Sequence, residues 1–350
     1  MSLTRRGKAT LATFTSLLIV GGGTLGYFAL FPEKAPAIVR NTLTTVGLVE
    51  DPAPPPPACP LTGQPAPHGV VPDRPVLAVK IENYPDARPQ AGLQAADVIY
   101  EEPVEGGITR FIVLFQCGDD PRVGPVRSAR TADPEVLAQF GVPILAYSGG
   151  APNVRNAIDR ADLLAIDETR GGSAFMRDAS REAPHNLYAD TRALYKVAHS
   201  TEGPPSAVFT YAEELALASR KVSSIHLPFS ATYADVWWTW DRKSDQWLRA
   251  HGDVPHLVES GEQVPADNVV VQVVDEVIGP RGGITPHLTL TGSGKAYVFR
   301  DGRMIVGRWE RASLHDVTRF VAKDGTEIPL VPGRTWVELL PSTVEVGTSR

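Results

Sequence analysis

Cysteine is nearly missing from this chain: two residues in 350, Cys59 and Cys117, with no Cys-x-x-Cys pair. That excludes a thioredoxin-type redox centre and a cysteine-rich zinc site. No His-Glu-x-x-His run occurs, so the common helical metalloprotease motif is absent. Gly292-Ser293-Gly294-Lys295 resembles the end of a phosphate loop, but Ala296 follows it and Thr289 stands where the earlier glycine belongs. Ser148-Gly149-Gly150 lacks the glycine two residues before the serine that a hydrolase elbow requires. No internal repeat of fixed period is present. Positive charge is also short, with 34 Lys and Arg against 40 Asp and Glu, a net charge of −6. The first fifty residues hold five basic and two acidic side chains, so the remainder carries −9. A body of that charge repels nucleic acid and anionic membrane, and no nucleic-acid partner is expected.

What is present begins at the N-terminus. Arg5, Arg6 and Lys8 precede an uncharged stretch from Ala9 to Phe31. As a helix this stretch reaches ~35 Å at ~1.5 Å per residue, against a hydrocarbon core of ~30 Å. The basic side chains predict a cytoplasmic N-terminus with everything after Phe31 outside. Residues 1–31 therefore read as a signal anchor, with residues 9–31 meeting the membrane. Two alternatives stand beside it: a signal peptide cleaved near Ala35-Pro36-Ala37, giving a secreted protein, and a buried soluble helix. Residues 32–58, with four consecutive prolines at 54–57, read as a stiff tether.

Beyond the tether, strand and helix patterns alternate over residues 59–205, predicting an α/β domain. Pro75–Ile81, Val98–Tyr100, Phe111–Phe115, Ile144–Tyr147 and Leu163–Ile166 read as strands. Gln90–Ala96, Ala132–Phe140, Asn153–Ala161 and Thr191–His199 read as helices. Residues 206–350 predict a mainly β domain, with one helix at Tyr211–Ser219 and strands at Trp237–Trp240, Gln246–Ala250, Val269–Val274, Ala296–Arg300, Met304–Trp309 and Thr335–Leu339. Asp301-Gly302 predicts a tight hairpin turn. All six tryptophans lie beyond residue 236, as sheet core or as an aromatic platform for a glycan. In an oxidising space the lone cysteine pair predicts a Cys59–Cys117 disulfide, with a catalytic thiol as the other reading.

The chemistry gathers in three runs. Gly124-Pro125-Val126-Arg127-Ser128-Ala129-Arg130 carries two guanidiniums and a hydroxyl between a strand and a helix, the residue types that grip a carboxylate or phosphate. Arg127 and Arg130 either take such a ligand or pair internally with Glu101, Glu102 or Glu105. Those acids, with Asp97, make a group that serves acid–base work if their environments differ, or consumes Arg110 and the other arginines. His185 and Asn186 stand on a loop before the Thr191 helix. The candidate ligand-binding residues are thus Glu101, Glu105, Arg110, Arg127, Ser128, Arg130, His185 and Asn186. No histidine pair has ligand spacing, and neither a metal nor a cofactor is expected.

These runs carry a resemblance. Val79-Lys80-Ile81-Glu82-Asn83, Ala96-Asp97-Val98-Ile99-Tyr100-Glu101, Glu105-Gly106-Gly107-Ile108-Thr109-Arg110-Phe111, the Gly124–Arg130 run, Pro184-His185-Asn186-Leu187-Tyr188 and Pro332-Gly333-Arg334-Thr335-Trp336-Val337-Glu338 are similar to the YerB-like lipoprotein family. The likeness runs over roughly residues 60–345. It implies an envelope-associated protein of bacterial type in two parts, divided near residue 205, and no established reaction. The chain departs from the lipoprotein pattern, having no cysteine directly after the apolar stretch. The function expected is an envelope-anchored binding or scaffold protein, with an anionic cell-wall component as candidate partner. An enzyme acting on cell-wall glycan or peptide is the alternative. Protein partners are not specified.

Overall fold

The computed structural model describes residue 34 and residues 56–277 and 285–350. The expected anchor at 1–31, and all of the tether but residues 34 and 56–58, lie outside the described residues. Among the described residues no helix is long and apolar enough to cross a membrane.

Two sheets organise residues 56–350. The larger runs, edge to edge, through Arg319–Ala322, Arg303–Arg311, Gly292–Arg300, Asn268–Val274, Thr335–Pro341, Val98–Pro103, Thr109–Phe115, Leu77–Glu82, Ile144–Ala146 and Leu164–Ile166. Strands from both sides of residue 205 share it, joined where Thr335–Pro341 pairs in parallel with Val98–Pro103. The most apolar segments are central: all residues of Leu77–Glu82 and Thr109–Phe115 are buried, because both faces are covered. Against one face packs the smaller sheet of Ser224–Ser230, Ala234–Asp241 and Gln246–His251, placing Trp238 and Trp247 over Phe111, Phe299 and Trp336. The other face is covered by the helices Ala132–Leu137 and Pro152–Arg160 and by extended chain around Val208 and Phe209. The fold is mainly β with some helices. Trp238, Trp247, Trp309 and Trp336 are core, while Trp237 and Trp240 are half-buried.

The strand directions matter for function. Leu77–Glu82, Ile144–Ala146 and Leu164–Ile166 run parallel. The intervening strand Thr109–Phe115 is antiparallel to both its neighbours, so Val98–Pro103 runs the same way, as do Thr335–Pro341 and Asn268–Val274. The carboxyl ends of all these parallel strands therefore open on one edge, where ligands of α/β sheets bind.

Local chemistry explains the remaining elements. Asp301 and Gly302 have φ of 53° and 62°, the two left-handed residues of a type I′ hairpin, closed by the Arg300–Arg303 pair. Cys59 and Cys117 are bonded, with Cα atoms 6.0 Å apart. Two predicted helices are corrected. Gln90–Ala96 shrinks to the single turn Leu93–Ala95, because Gly92 sits at φ 84° and Ala91 pairs with Gly124. Tyr211–Ser219 forms no helix but irregular chain: Tyr211 bridges to Leu330, and Leu215 and Leu217 pack on the sheet face, so tertiary burial overrides helix propensity.

Candidate functional site

The site starts from a charge pattern inside an apolar strand. Lys80 and Glu82 are two apart, so their side chains share a face. Strand register sets Glu82 opposite Arg110, and Arg110 opposite Glu102. Lys80 Nζ donates to Asp133 Oδ1 at 2.6 Å and also to Glu102. All three side chains are buried. One ammonium thus faces two carboxyls. Burial pushes Glu102 up to about 7, with Asp133 adding to it against the pull of Lys80.

The Gly124–Arg130 run is laid along this strand where Ile144–Ala146 stops. Glu82 N donates to Pro125 O at 3.0 Å, and Arg127 N to Lys80 O at 2.8 Å. Ser148 N then donates to Arg127 O at 2.9 Å, and Ala129 N to Gly149 O at 3.0 Å. This zipper delivers two guanidiniums to the carboxyl edge, where Arg110, from the start of the strand Thr109–Phe115, makes a third. Arg127 Nε lies 2.9 Å from Glu82 Oε1, whose other oxygen is 2.9 Å from His185 Nδ1. Arg130 holds Glu105 with two hydrogen bonds, Nε to Oε2 at 2.8 Å and a second from its terminal nitrogen to Oε1. Arg110 donates to Ser128 O at 2.7 Å and lies 3.8 Å from Glu105. Burial lowers the pKa of both Arg110 and Arg130 from the ordinary guanidinium value.

Beside these groups lies a crevice lined by Glu105, Ser128, Arg130, Gly150, Ala151, Val154 and Thr285. One wall is the start of the Pro152–Arg160 helix, whose first-turn N–H groups lack intrahelical partners. A second, less polar crevice between that helix and the loops of His287 and Leu314 does not include the arginines.

The predicted residues are therefore mostly brought together. Glu105, Arg110, Arg127, Ser128, Arg130 and His185 gather at this edge. Asn186 is tied in through Arg177, which bonds both Asn186 Oδ1 at 2.9 Å and Glu168 Oε2 at 2.7 Å. Glu168 in turn accepts from Ser148 Oγ at 2.5 Å. Glu101 lies elsewhere. Its side chain points to the opposite sheet face, fully buried, accepting from Arg249 at 2.6 Å and Thr109 at 2.6 Å. Adjacent residues of a strand alternate faces, so Glu101 and Glu102 never share a site. The sequence reading passed over Lys80, Glu82 and Asp133. Their signal was the Lys-x-Glu pair within an otherwise apolar strand.

A mainly β fold with helices, opening a crevice beside a cluster of arginines at the carboxyl edge of its parallel strands, defines a two-part protein built across one sheet. Residues 61–204 match the family described as "Protein of unknown function (DUF3048) N-terminal domain", and residues 225–337 match its C-terminal domain. The chain belongs to this family. It is 31% identical over 294 residues to the Bacillus subtilis (strain 168) protein named "Putative lipoprotein YerB", covering 81% of this chain and 86% of that one. The crystal structure of the Bacillus subtilis YerB protein superposes with a TM-score of 0.72 at 26% identity, covering 83% of this chain and 99% of that chain.

Proposed function

We propose that this protein is an extracytoplasmic binding protein of the cell envelope, held at the membrane by residues 9–31 and spaced from it by residues 32–58. Its ligand is an anionic cell-wall component, seated at the crevice lined by Arg130 and Ser128, with Arg110 and Arg127 beside it. The observation that carries this reading is the gathering of three arginines at one edge, Arg127 and Arg130 from the Gly124–Arg130 run and Arg110 from the start of the strand Thr109–Phe115. Guanidinium forks match carboxylate and phosphate geometry, and the carboxyl edge of parallel strands is the usual ligand crevice. The test is retention of cell-wall fragments by the full chain in detergent, compared with Arg127→Ala and Arg130→Ala. Loss in both variants supports the reading, and equal retention removes it. Placement outside the cytoplasm is tested by protease added to intact wall-stripped cells, which should digest residues beyond the anchor. Protection until the membrane is opened would reverse the orientation.

One observation favours the second reading, an enzyme acting on cell-wall glycan or peptide. His185 is oriented through Nδ1 by Glu82, and its Nε2 takes no partner among the described residues, as a base in a carboxylate–histidine pair would. Against it, each arginine is already engaged by an acid or a carbonyl, and Glu101 is remote. Release of soluble fragments from cell wall by the wild type, abolished in His185→Ala, would favour this reading.

A further inference from the structure

The acid held by Arg130 differs from the arginines in how firmly the fold fixes it. Arg110 and Arg130 are 6% and 8% exposed, rooted in a central strand and in the zipped run. Arg110 Nε is buried without a hydrogen-bond partner. Glu105, with a side chain 26% exposed, sits on the turn Glu105–Gly107. Gly106 and Gly107 there have φ of 75° and 70°, and a side-chain carbon at Gly106 would meet nothing within 4 Å. The guanidiniums are fixed and desolvated, while the carboxylate is carried on an exposed glycine turn that faces open space at Gly106 and Ser230 at Gly107. The carboxylate itself shows what the seat accepts. Each oxygen takes one N–H of the Arg130 fork, Arg110 stands 3.8 Å away, and Thr285 Oγ1 lies 3.4 Å from Oε2.

We propose that Glu105 is a resident stand-in for the ligand's carboxylate: a carboxylate entering past Ser128, Ala151 and Val154 displaces it from Arg130 and Arg110. The fork alone suits carboxylate and phosphate alike; the carboxylate class is assigned because the seat of Arg130, Arg110 and Thr285 already holds the carboxylate of Glu105. This inference rests on the binding reading above and names both its ligand class and its internal competitor.

The test uses the full chain in detergent, titrated with the dipeptide D-Ala-D-Ala and, separately, with glycerol phosphate. Glu105→Gln removes the competing charge and should bind the dipeptide at least tenfold more tightly than the wild type. Arg130→Ala added to it should abolish the gain. A second variant, Glu105→Ala, should be stabilised against heat by acetate and not by chloride, an effect the wild type should lack. Wild-type binding that is equal to or tighter than that of Glu105→Gln overturns the stand-in role while leaving the binding reading intact. Tighter binding of glycerol phosphate overturns the carboxylate assignment. If no variant binds either probe and acetate does not stabilise Glu105→Ala, the binding reading falls with it.

Discussion

Glu101 and Glu338 stand in register on neighbouring parallel strands with both carboxyls fully buried, and Glu338 accepts from Trp238 Nε1 at 2.8 Å. This pair lies at the join of the two halves of the chain. Arg249 reaches Glu101 from the smaller sheet, its guanidinium 5.2 Å from the Trp336 ring centre and 5.4 Å from that of Phe111. Burial, then the charge of Glu101, raises Glu338 well above the usual carboxylate range. In the folded protein Glu338 keeps a proton that the unfolded chain releases near pH 4.3. Native protein then binds more protons than unfolded, so stability falls as pH rises above that value. Glu338→Gln should flatten the decline in melting temperature with pH. An unchanged slope would show that Glu338 does not keep its proton in the folded protein.

The same join ties the sheets together. Removing the Arg249 charge with Arg249→Met leaves Glu101 buried without its cation, and breaking such a pair costs about 3–5 kcal/mol. Denaturant unfolding should show a loss of that order. A loss under ~1 kcal/mol would mean that the apolar cage, rather than the charge, does the holding.

Lys80, Glu102 and Asp133 form a separate buried group on the other face. Glu102 titrates in the folded state at about 7, above its unfolded value of about 4.3. Its contribution to stability is therefore full below the unfolded value and declines as pH rises toward 7. Glu102→Gln should gain stability relative to the wild type at pH 8 and lose that advantage at pH 4. Equal differences at both pH values would contradict the assignment.

The disulfide closes a separation of 58 residues. The chain-entropy account gives about 4 kcal/mol for a loop of that length. Cys59→Ser with Cys117→Ser should lower stability by up to this amount, and the unfolded, unreduced wild type should titrate no free thiol.

How much of this was legible in the sequence depends on range. The Asp301-Gly302 turn and the apolar central strands were readable because local φ preference and hydrophobic runs set them. The gathering of Arg127, Ser128 and Arg130 in the Gly124–Arg130 run was readable because they are neighbours in sequence between a strand and a helix. Pairing of Val98–Pro103 with Thr335–Pro341 was not, since parallel pairing across more than two hundred residues leaves no local mark. Glu82 was missed because a carboxylate in a fully buried strand looks like core until register shows Arg110 opposite and the Gly124–Arg130 run alongside. Glu101 was grouped with Glu105 by nearness in sequence. Strand alternation, applied to Glu101-Glu102, already separates them.

The arginine crevice as an anion seat is tested most directly by calorimetric titration of the full chain with a purified, carboxylate-bearing cell-wall fragment. The wild type should bind saturably, and Arg130→Ala should weaken binding by at least tenfold, about 1.4 kcal/mol, while melting within a few degrees of the wild type. Binding of equal strength by wild type and Arg130→Ala, or no heat of binding from a folded wild type, would contradict it.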